Sequence, residues 1–210
     1  GKGFPSYYYT GGEVLGVAIE KDGEKDYIYF PCEKTEIERA LKRIGAGDIS
    51  ECNKNIDFCG GDEEWEDYFN DLLQKNDLES VNAISSDINC LGANLDAISK
   101  NLYKLSAVME FAGVTTADPE KVIRLAQNLD EFEYYREIGN DYNLGTKLIE
   151  NEIGSAAEKI GDYIDYEKYA HDFLEENGGA YTKYVDVVYL RDDQSLSEIL
   201  GENEIKMGGI

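Results

Sequence analysis

The sequence predicts an α+β fold built from three small subdomains and a tail. Apolar residues recur every three to four positions through the middle of the chain, which is typical of helices with one buried face. Short segments rich in Val, Ile and Tyr lie near both ends, bounded by glycine-containing turns, which favours strands there. The predicted parts are an N-terminal α+β unit at 1–60, a helical unit at 61–115, a C-terminal α+β unit at 116–190 and a tail at 191–210.

The first unit combines strands with one helix. One or two strands are expected over 7–20 around the turn at Gly11-Gly12, and a second turn at Lys21-Asp22-Gly23 precedes a strand at 27–30. Thr35 and Glu38 resemble a capping box at the start of a helix, which the glycines after Ile44 end. A further strand is predicted at 49–58.

The second unit is predicted to be a small bundle of three amphipathic helices. The first covers 62–76 and carries an aromatic stripe that we interpret as core. The apolar positions of the three helices are Trp65, Tyr68, Phe69, Leu72 and Leu73; Leu78, Val81, Ile84, Ile88 and Leu91; and Leu95, Ile98, Leu102, Leu105, Val108 and Met109.

The third unit begins with a well-marked helix start at Asp118-Pro119-Glu120, with Asp as the cap and Pro at the first helical position. An extended segment is expected at 131–138, followed by helices at 141–153 and 165–177, the second ended by Gly178-Gly179. Val and Tyr content predicts strands within 180–190. The last ten residues are expected to be a loose tail.

Charge is the dominant feature of the composition. Forty-four acidic residues against 20 basic ones give a net charge of −24, divided evenly between residues 1–119 and 120–210. Because affinity for nucleic acid and for anionic membranes comes mainly from Lys and Arg, neither is an expected partner. No apolar run is long enough to span a membrane, and the sparse cysteines Cys32, Cys52, Cys59 and Cys90 are interpreted as reduced thiols of a cytoplasmic protein.

Catalytic and cofactor motifs are missing from the sequence. The single histidine, His171, lies in a helical pattern far from the cysteines, which argues against a zinc site and favours a partly exposed polar residue over a catalytic one. Neither a phosphate-binding loop nor a dinucleotide-binding or EF-hand motif is present. We therefore expect no enzyme activity and no cofactor, although a carboxylate pair in a cleft is the alternative with catalytic chemistry.

The carboxylates concentrate in segments whose apolar stripes point inward, so they are expected to face water. The net charge matches that of about 40 Å of duplex DNA, which is also about the diameter of a compact chain of this length. This match suggests a surface that imitates DNA. The candidate carboxylates are Asp62, Glu63, Glu64, Glu66, Asp67, Asp130, Glu131, Glu133, Glu137, Asp141, Glu150, Glu152, Asp162, Asp165, Glu167, Asp172, Glu175 and Glu176.

Several segments resemble the ArdA family of antirestriction proteins. They are YTGGEVLGVAIE (9–20), FPCEKTEIERALKRIG (30–45), KVIRLAQNLDEFEYY (121–135), DYNLGTKLIE (141–150) and IGDYIDYEKYAHDFLEENGGAYTKY (160–184). The chain differs from that family at Ala170-His171, where the family usually has Gly-Arg, in a loop at 22–26 and in its extension past Tyr184.

The resemblance implies an elongated, three-part homodimer that mimics bent DNA and occupies the DNA-binding channel of type I restriction-modification enzymes. It also implies a protein carried by mobile genetic elements. Tyr163, Tyr166 and Tyr169 are candidate dimer contacts, with plain core as the alternative. The rival function is an acidic adaptor that binds a basic protein partner without imitating DNA.

Overall fold

The α+β class is confirmed: a computed structural model shows helices together with two small antiparallel sheets. It describes residues 12–90 and 95–202. Those residues form two compact units. Unit 1 holds the described residues up to Ser106 together with Thr115–Gln127, and unit 2 holds Ala107–Val114 and the described residues from Asn128 onward.

The sheet of unit 1 contains β1 (Leu15–Lys21), β2 (Glu24–Phe30) and β3 (Asn53–Cys59) in the order β2-β1-β3, both pairings antiparallel. The predicted turn joins β1 and β2 through Asp22 and Gly23, whose φ angles of 51° and 83° are both positive, as in a type I′ hairpin turn. The predicted turn at Gly11-Gly12 lies only partly within the described residues.

The helices of unit 1 follow the predicted periodicity. They are α1 (Lys34–Arg43), α2 (Glu63–Gln74), α3 (Leu78–Cys90), α4 (Leu95–Ala112) and α5 (Pro119–Gln127), and the part of α4 from Ala107 onward belongs to unit 2. The α2 stripe is buried as predicted, and Trp65 Nε1 donates a hydrogen bond of 2.8 Å to the Leu102 carbonyl of α4. Asp118 caps α5 by accepting a hydrogen bond from the Lys121 amide. Leu91 lies outside the described residues.

Two predictions in unit 1 were wrong in detail. No capping box starts α1, because the helix already begins at Lys34 and Thr35 is inside its first turn, while the cap residue Glu33 makes no side-chain cap bond. The strand predicted from 49 begins only at Asn53, because the Asp48 side chain accepts from the Ser50 amide and holds Ile49–Glu51 in a 3₁₀ turn.

Unit 2 is built from a second sheet and a group of helices. Its strands are β4 (Phe132–Tyr135), β5 (Ala180–Tyr181) and β6 (Val187–Leu190), in the antiparallel order β4-β6-β5. Its helices are α6 (Asp141–Ile153), α7 (Ala156–Ile160), α8 (Tyr166–Asn177) and α9 (Leu196–Ile199). The helix predictions at 141–153 and 165–177 are confirmed, with Asp165 as the cap and Gly178 in the left-handed conformation at the end.

The structure of unit 2 departs from the sequence prediction in three places. Neither α7 nor α9 is predicted, and α9 lies in the segment taken as a tail; residues 203–210 are outside the described part. The strand-rich segment 180–190 is divided in two because Thr182 and Asp186 close a turn, the Thr182 amide donating to the Asp186 carbonyl at 2.9 Å.

One close approach fixes the helices of unit 2. A Cβ atom on Gly145 of α6 would lie 2.0 Å from the carbonyl oxygen of Tyr166, so only glycine lets the start of α8 pack this tightly against α6. Leu144, Leu148 and Ala170 fill the core beside this contact. The polar faces of both helices are thereby left on the surface of the same unit.

Candidate acidic interface

The predicted carboxylates are on the surface. None of the eighteen is buried; thirteen are exposed, and the other five, which are Asp62, Glu131, Glu133, Asp141 and Asp172, are partly exposed. They fall into three groups by element, one on α2 in unit 1 and two in unit 2.

The first group surrounds the start of α2. Asp62 caps the helix by accepting a hydrogen bond of 3.3 Å from the Trp65 amide. Because the aromatic stripe faces the core, Glu63, Glu66 and Asp67 point to solvent, and Glu64 is exposed with them. Acidic side chains in a first turn are favoured by the partial positive charge of the helix N-terminus.

The second group, around β4, is partly neutralised by the protein's own cations. Glu133 pairs with Arg191 at 2.7 Å, and Glu137 pairs with Arg136 at 3.7 Å. The hydrogen bond from Arg191 to Glu133 raises the pKa of the guanidinium. Asp130 is exposed and Glu131 partly so.

The third group is the densest. Between Asp141 and Asn177 there are ten acidic residues and only three lysines. These carboxylates come from α6, α7, the 3₁₀ turn Gly161–Tyr163 and α8. Lys168 is paired with Asp172 at 2.5 Å, which lowers the pKa of that carboxyl. The segment therefore keeps a strong negative charge.

Two carboxylates of this group are held by tyrosine hydroxyls. Tyr181 Oη donates to Asp141 at 2.6 Å, and Tyr169 Oη donates to Glu152 at 2.7 Å. The pKa of Tyr169 is raised mainly by its hydrogen bond to Glu152, and that of Tyr181 mainly by burial and then by Asp141. Charge-assisted bonds of this kind fix the position of an otherwise freely rotating carboxylate.

The three candidate contact tyrosines have different surroundings. Tyr163 is 90% exposed. The Tyr166 ring is partly buried and packs edge-on against Tyr142, with ring centroids 5.5 Å apart. Tyr169 packs against the core of unit 2. Among the three, only the Tyr163 side chain is almost fully exposed to solvent.

An open cleft of about 490 Å³ lies among α6, α7 and the 3₁₀ turn after it. Three carboxylates line it, those of Glu150, Glu158 and Asp162, together with the Tyr142 and Tyr166 side chains. Sequence reasoning missed Glu158 and Tyr142. Glu158 belongs to α7, which was not predicted, and Tyr142 lies on the exposed face of α6. The high density of acidic residues in 141–177 was the only sequence signal that indicated this part of the surface.

A second cluster was also missed. The ligand atoms of His171, Asp172 and Glu175 on α8 lie within 4.8 Å of one another, and His171 Nδ1 is 3.7 Å from Asp172 Oδ1. The spacing of His171 and Glu175, one helical turn apart, is the signal that could have found it. Side chains of these types can bind a cation. Here, however, Asp172 is already paired with Lys168, and His171 is exposed, so the cluster does not form a built metal site.

The described thiols offer no reactive group. Cys32, Cys52 and Cys59 are free, and burial raises the pKa of Cys32 and of Cys59 to about 12, so both stay protonated at neutral pH. The Cys90 side chain lies outside the described part. Among the helices that the structure describes, none has the length and apolar character needed to cross a membrane.

Comparison with known proteins adds no relative: no protein-family model, no curated protein and no solved structure matches the chain. What the protein does must therefore be inferred from the chemistry of its surface.

Proposed function

We propose that this protein is an acidic DNA mimic that inhibits type I restriction-modification enzymes by occupying their DNA-binding channel. The observation that carries the proposal is that all eighteen candidate carboxylates lie on the surface, in a chain with a net charge of −24. The resemblance of most of residues 9–184 to ArdA proteins is the basis for the proposed class of target. The proposed setting is the cytoplasm, where such enzymes act.

The mechanism is competitive occupation. A channel that binds duplex DNA is lined with Lys and Arg side chains, which meet phosphates and release counterions on binding. Surface carboxylates can satisfy the same cations. A folded protein that presents them in place also avoids the deformation energy, several kcal/mol, that a bent DNA site costs.

The tyrosine hydrogen bonds support this mechanism. Tyr169 and Tyr181 hold Glu152 and Asp141 in place before binding, so less side-chain freedom is lost on contact with the enzyme. The ion pair of Glu133 with Arg191 works in the opposite direction, because it must open before Glu133 can meet an enzyme cation. The third group of carboxylates is therefore proposed to contribute more than the second.

The direct test is protection of unmodified plasmid from a type I restriction enzyme by the purified protein. We expect inhibition at low ionic strength that weakens steeply with added salt. A variant neutralised at six of the sites in 141–177, by Glu→Gln and Asp→Asn, should lose inhibition, whereas single changes should have little effect. Unaltered cleavage at low salt would rule the proposal out.

The adaptor function remains the second candidate, because the cleft and the exposed Tyr163 are features that a phosphate backbone lacks. Competition separates the two functions. Duplex DNA should displace a mimic from its enzyme in a dose-dependent manner. An adaptor bound elsewhere on a basic partner should stay bound when the DNA is added.

A further inference from the structure

We infer that the cleft lined by Glu150, Glu158 and Asp162 is a receptor for an arginine side chain of the protein's partner. This inference deepens the proposed function, on which it rests for the identity of the partner.

The first support is uncompensated charge. Within the described part of the chain, none of the three cleft carboxylates makes an ion pair, unlike Glu133, Glu137 and Asp172. The cleft lining contains no Lys or Arg. The two nearest lysines in sequence, Lys147 and Lys159, are exposed and do not line the cleft. An external cation is therefore the group that would balance this charge.

The second support comes from the backbone at the end of α6. Helix α6 ends at the cleft, where Gly154 forms part of the lining, and the last turn of α6 contains no basic residue. The last carbonyls of a helix carry a partial negative charge that favours cations. Glu150 and Glu152 add their negative charges in the same turn. The repulsion among these charges destabilises the end of the helix unless a cation binds there.

The third support is the aromatic lining and its surroundings. Tyr142 is 53% exposed and lies edge-on to Tyr166, so the two rings offer apolar surface beside the carboxylates. Ile153 of α6, Ile160 of α7 and Tyr163 of the 3₁₀ turn Gly161–Tyr163 are also exposed. Four of the six large hydrophobic side chains that the described residues expose thus lie between positions 142 and 163. A concentration of exposed apolar side chains marks an interaction surface.

These features together select arginine. A planar guanidinium can stack on an aromatic ring and still donate hydrogen bonds to two carboxylates, which an ammonium group does less well. The expected homodimer is a poorer occupant of the cleft itself, because a second copy would have to place a cation there and the chain carries a net charge of −24. Arginine is also a natural component of a channel that binds DNA.

The experiment is a titration of the full chain with the tripeptide acetyl-Gly-Arg-Gly-amide, followed by two-dimensional NMR. We expect saturable shifts centred on the amides of Gly154, Ser155, Gly161 and Asp162. The lysine tripeptide should bind at least about threefold more weakly, and the uncharged citrulline tripeptide should not bind measurably.

The variant that tests the cleft is Glu158→Gln with Asp162→Asn. Its matched control is Glu198→Gln with Asp192→Asn, because neither Glu198 nor Asp192 lines the cleft or belongs to the eighteen candidate carboxylates. Both remove two exposed carboxylates of the same types. The cleft variant should weaken arginine binding about tenfold and reduce inhibition of the nuclease, while the control variant should bind the tripeptide as the unaltered protein does.

Several results would overturn the inference: scattered shifts, equal binding of lysine, or equal loss in both variants. A dimer in sedimentation that dissociates on Tyr163→Ser would also overturn it, because a second copy would then cover the patch. Failure of the proposed function looks different. In that case the tripeptide still binds in the cleft, but the unaltered protein leaves the nuclease active.

Discussion

Aromatic side chains have different structural roles in the two units. In unit 1, Trp65, Tyr68 and Phe69 of α2 are at most 4% exposed and pack ring against ring, with centroids 5.2 to 5.9 Å apart. In unit 2, Tyr169 and Tyr181 are only partly buried, and both extend their hydroxyls to carboxylates. One set builds a core, and the other holds a charged surface.

The hydroxyl of Tyr68 emphasises the difference. It is buried without a hydrogen-bond partner among the described residues, and burial raises its pKa. The Tyr68 ring packs against its neighbours, whereas its hydroxyl oxygen makes no hydrogen bond to the described residues. The hydroxyls of unit 2, by contrast, order charged groups at the surface. Aromatic residues at helical spacing can thus serve either purpose, and burial together with the hydroxyl's partner decides which.

The largest expected effect comes from removing a core ring of unit 1. Phe69 is fully buried, so Phe69→Ala should lower the free energy of unfolding by about 3–5 kcal/mol through lost transfer energy and a cavity. Urea unfolding followed by fluorescence of the single tryptophan, Trp65, would measure it. A loss below about 1 kcal/mol would mean that this ring is not part of a tightly packed core.

A smaller effect is expected at the buried acid of unit 2. Asp186 accepts hydrogen bonds from Tyr134 Oη at 2.9 Å and from the Glu137 amide at 2.7 Å. Asp186→Ala would leave both donors unpaired and should destabilise unit 2 by about 1–3 kcal/mol. Hydrogen exchange of β6 amides would report it. Asp186→Asn, which keeps an acceptor oxygen, should cost less, and an equal cost would contradict this explanation.

Alkaline pH should weaken both units, for different reasons. Folding raises the pKa of Tyr68 through burial, and it raises those of Tyr181 and Tyr134 through burial together with hydrogen bonds to carboxylates. The folded state therefore binds more protons than the unfolded state above the ordinary tyrosine pKa of 10.0. The stability from these groups is fully present below that pH and is lost as the pH rises through the folded values.

Urea unfolding between about pH 9 and pH 12 would show this loss. Tyr181→Phe should make the pH dependence shallower for unit 2 and leave unit 1 unchanged. A slope that is the same with and without this substitution would remove Tyr181 from the explanation.

The smallest effect on stability is expected at Tyr169. Tyr169→Phe removes one hydrogen bond at a partly exposed site and should cost at most about 1 kcal/mol. If the hydroxyl holds Glu152 for binding, the same change should weaken nuclease inhibition at moderate salt. Tyr163→Phe, which removes an exposed hydroxyl that makes no hydrogen bond to the described residues, is the control. Equal inhibition by both variants would show that fixing Glu152 is unimportant.

Much of the fold could be predicted because its signals are local. The α2 stripe, the Asp118 cap and the Gly178 helix end each depend on a few neighbouring residues. The division between β5 and β6 could not be predicted, since it depends on a turn closed by Thr182 and Asp186 within a segment of high strand content.

The site was predictable only in part. The exposure of the carboxylates follows from the apolar stripes beside them, so their surface position was predicted correctly. The cleft was not, because it requires α7, a helix of five residues, and the close contact of Gly145 with Tyr166. A pattern of hydrophobic spacing cannot predict a close backbone contact such as that between Gly145 and Tyr166.

Helix α4 has a practical consequence for dissecting the protein. Its residues up to Ser106 belong to unit 1, those from Ala107 belong to unit 2, and the chain then returns to unit 1 for Thr115–Gln127. A simple truncation therefore cannot yield either half with all of its own segments. Separate production of the halves would require a redesigned gene in which α5 is joined to the end of a shortened α4 by a new linker.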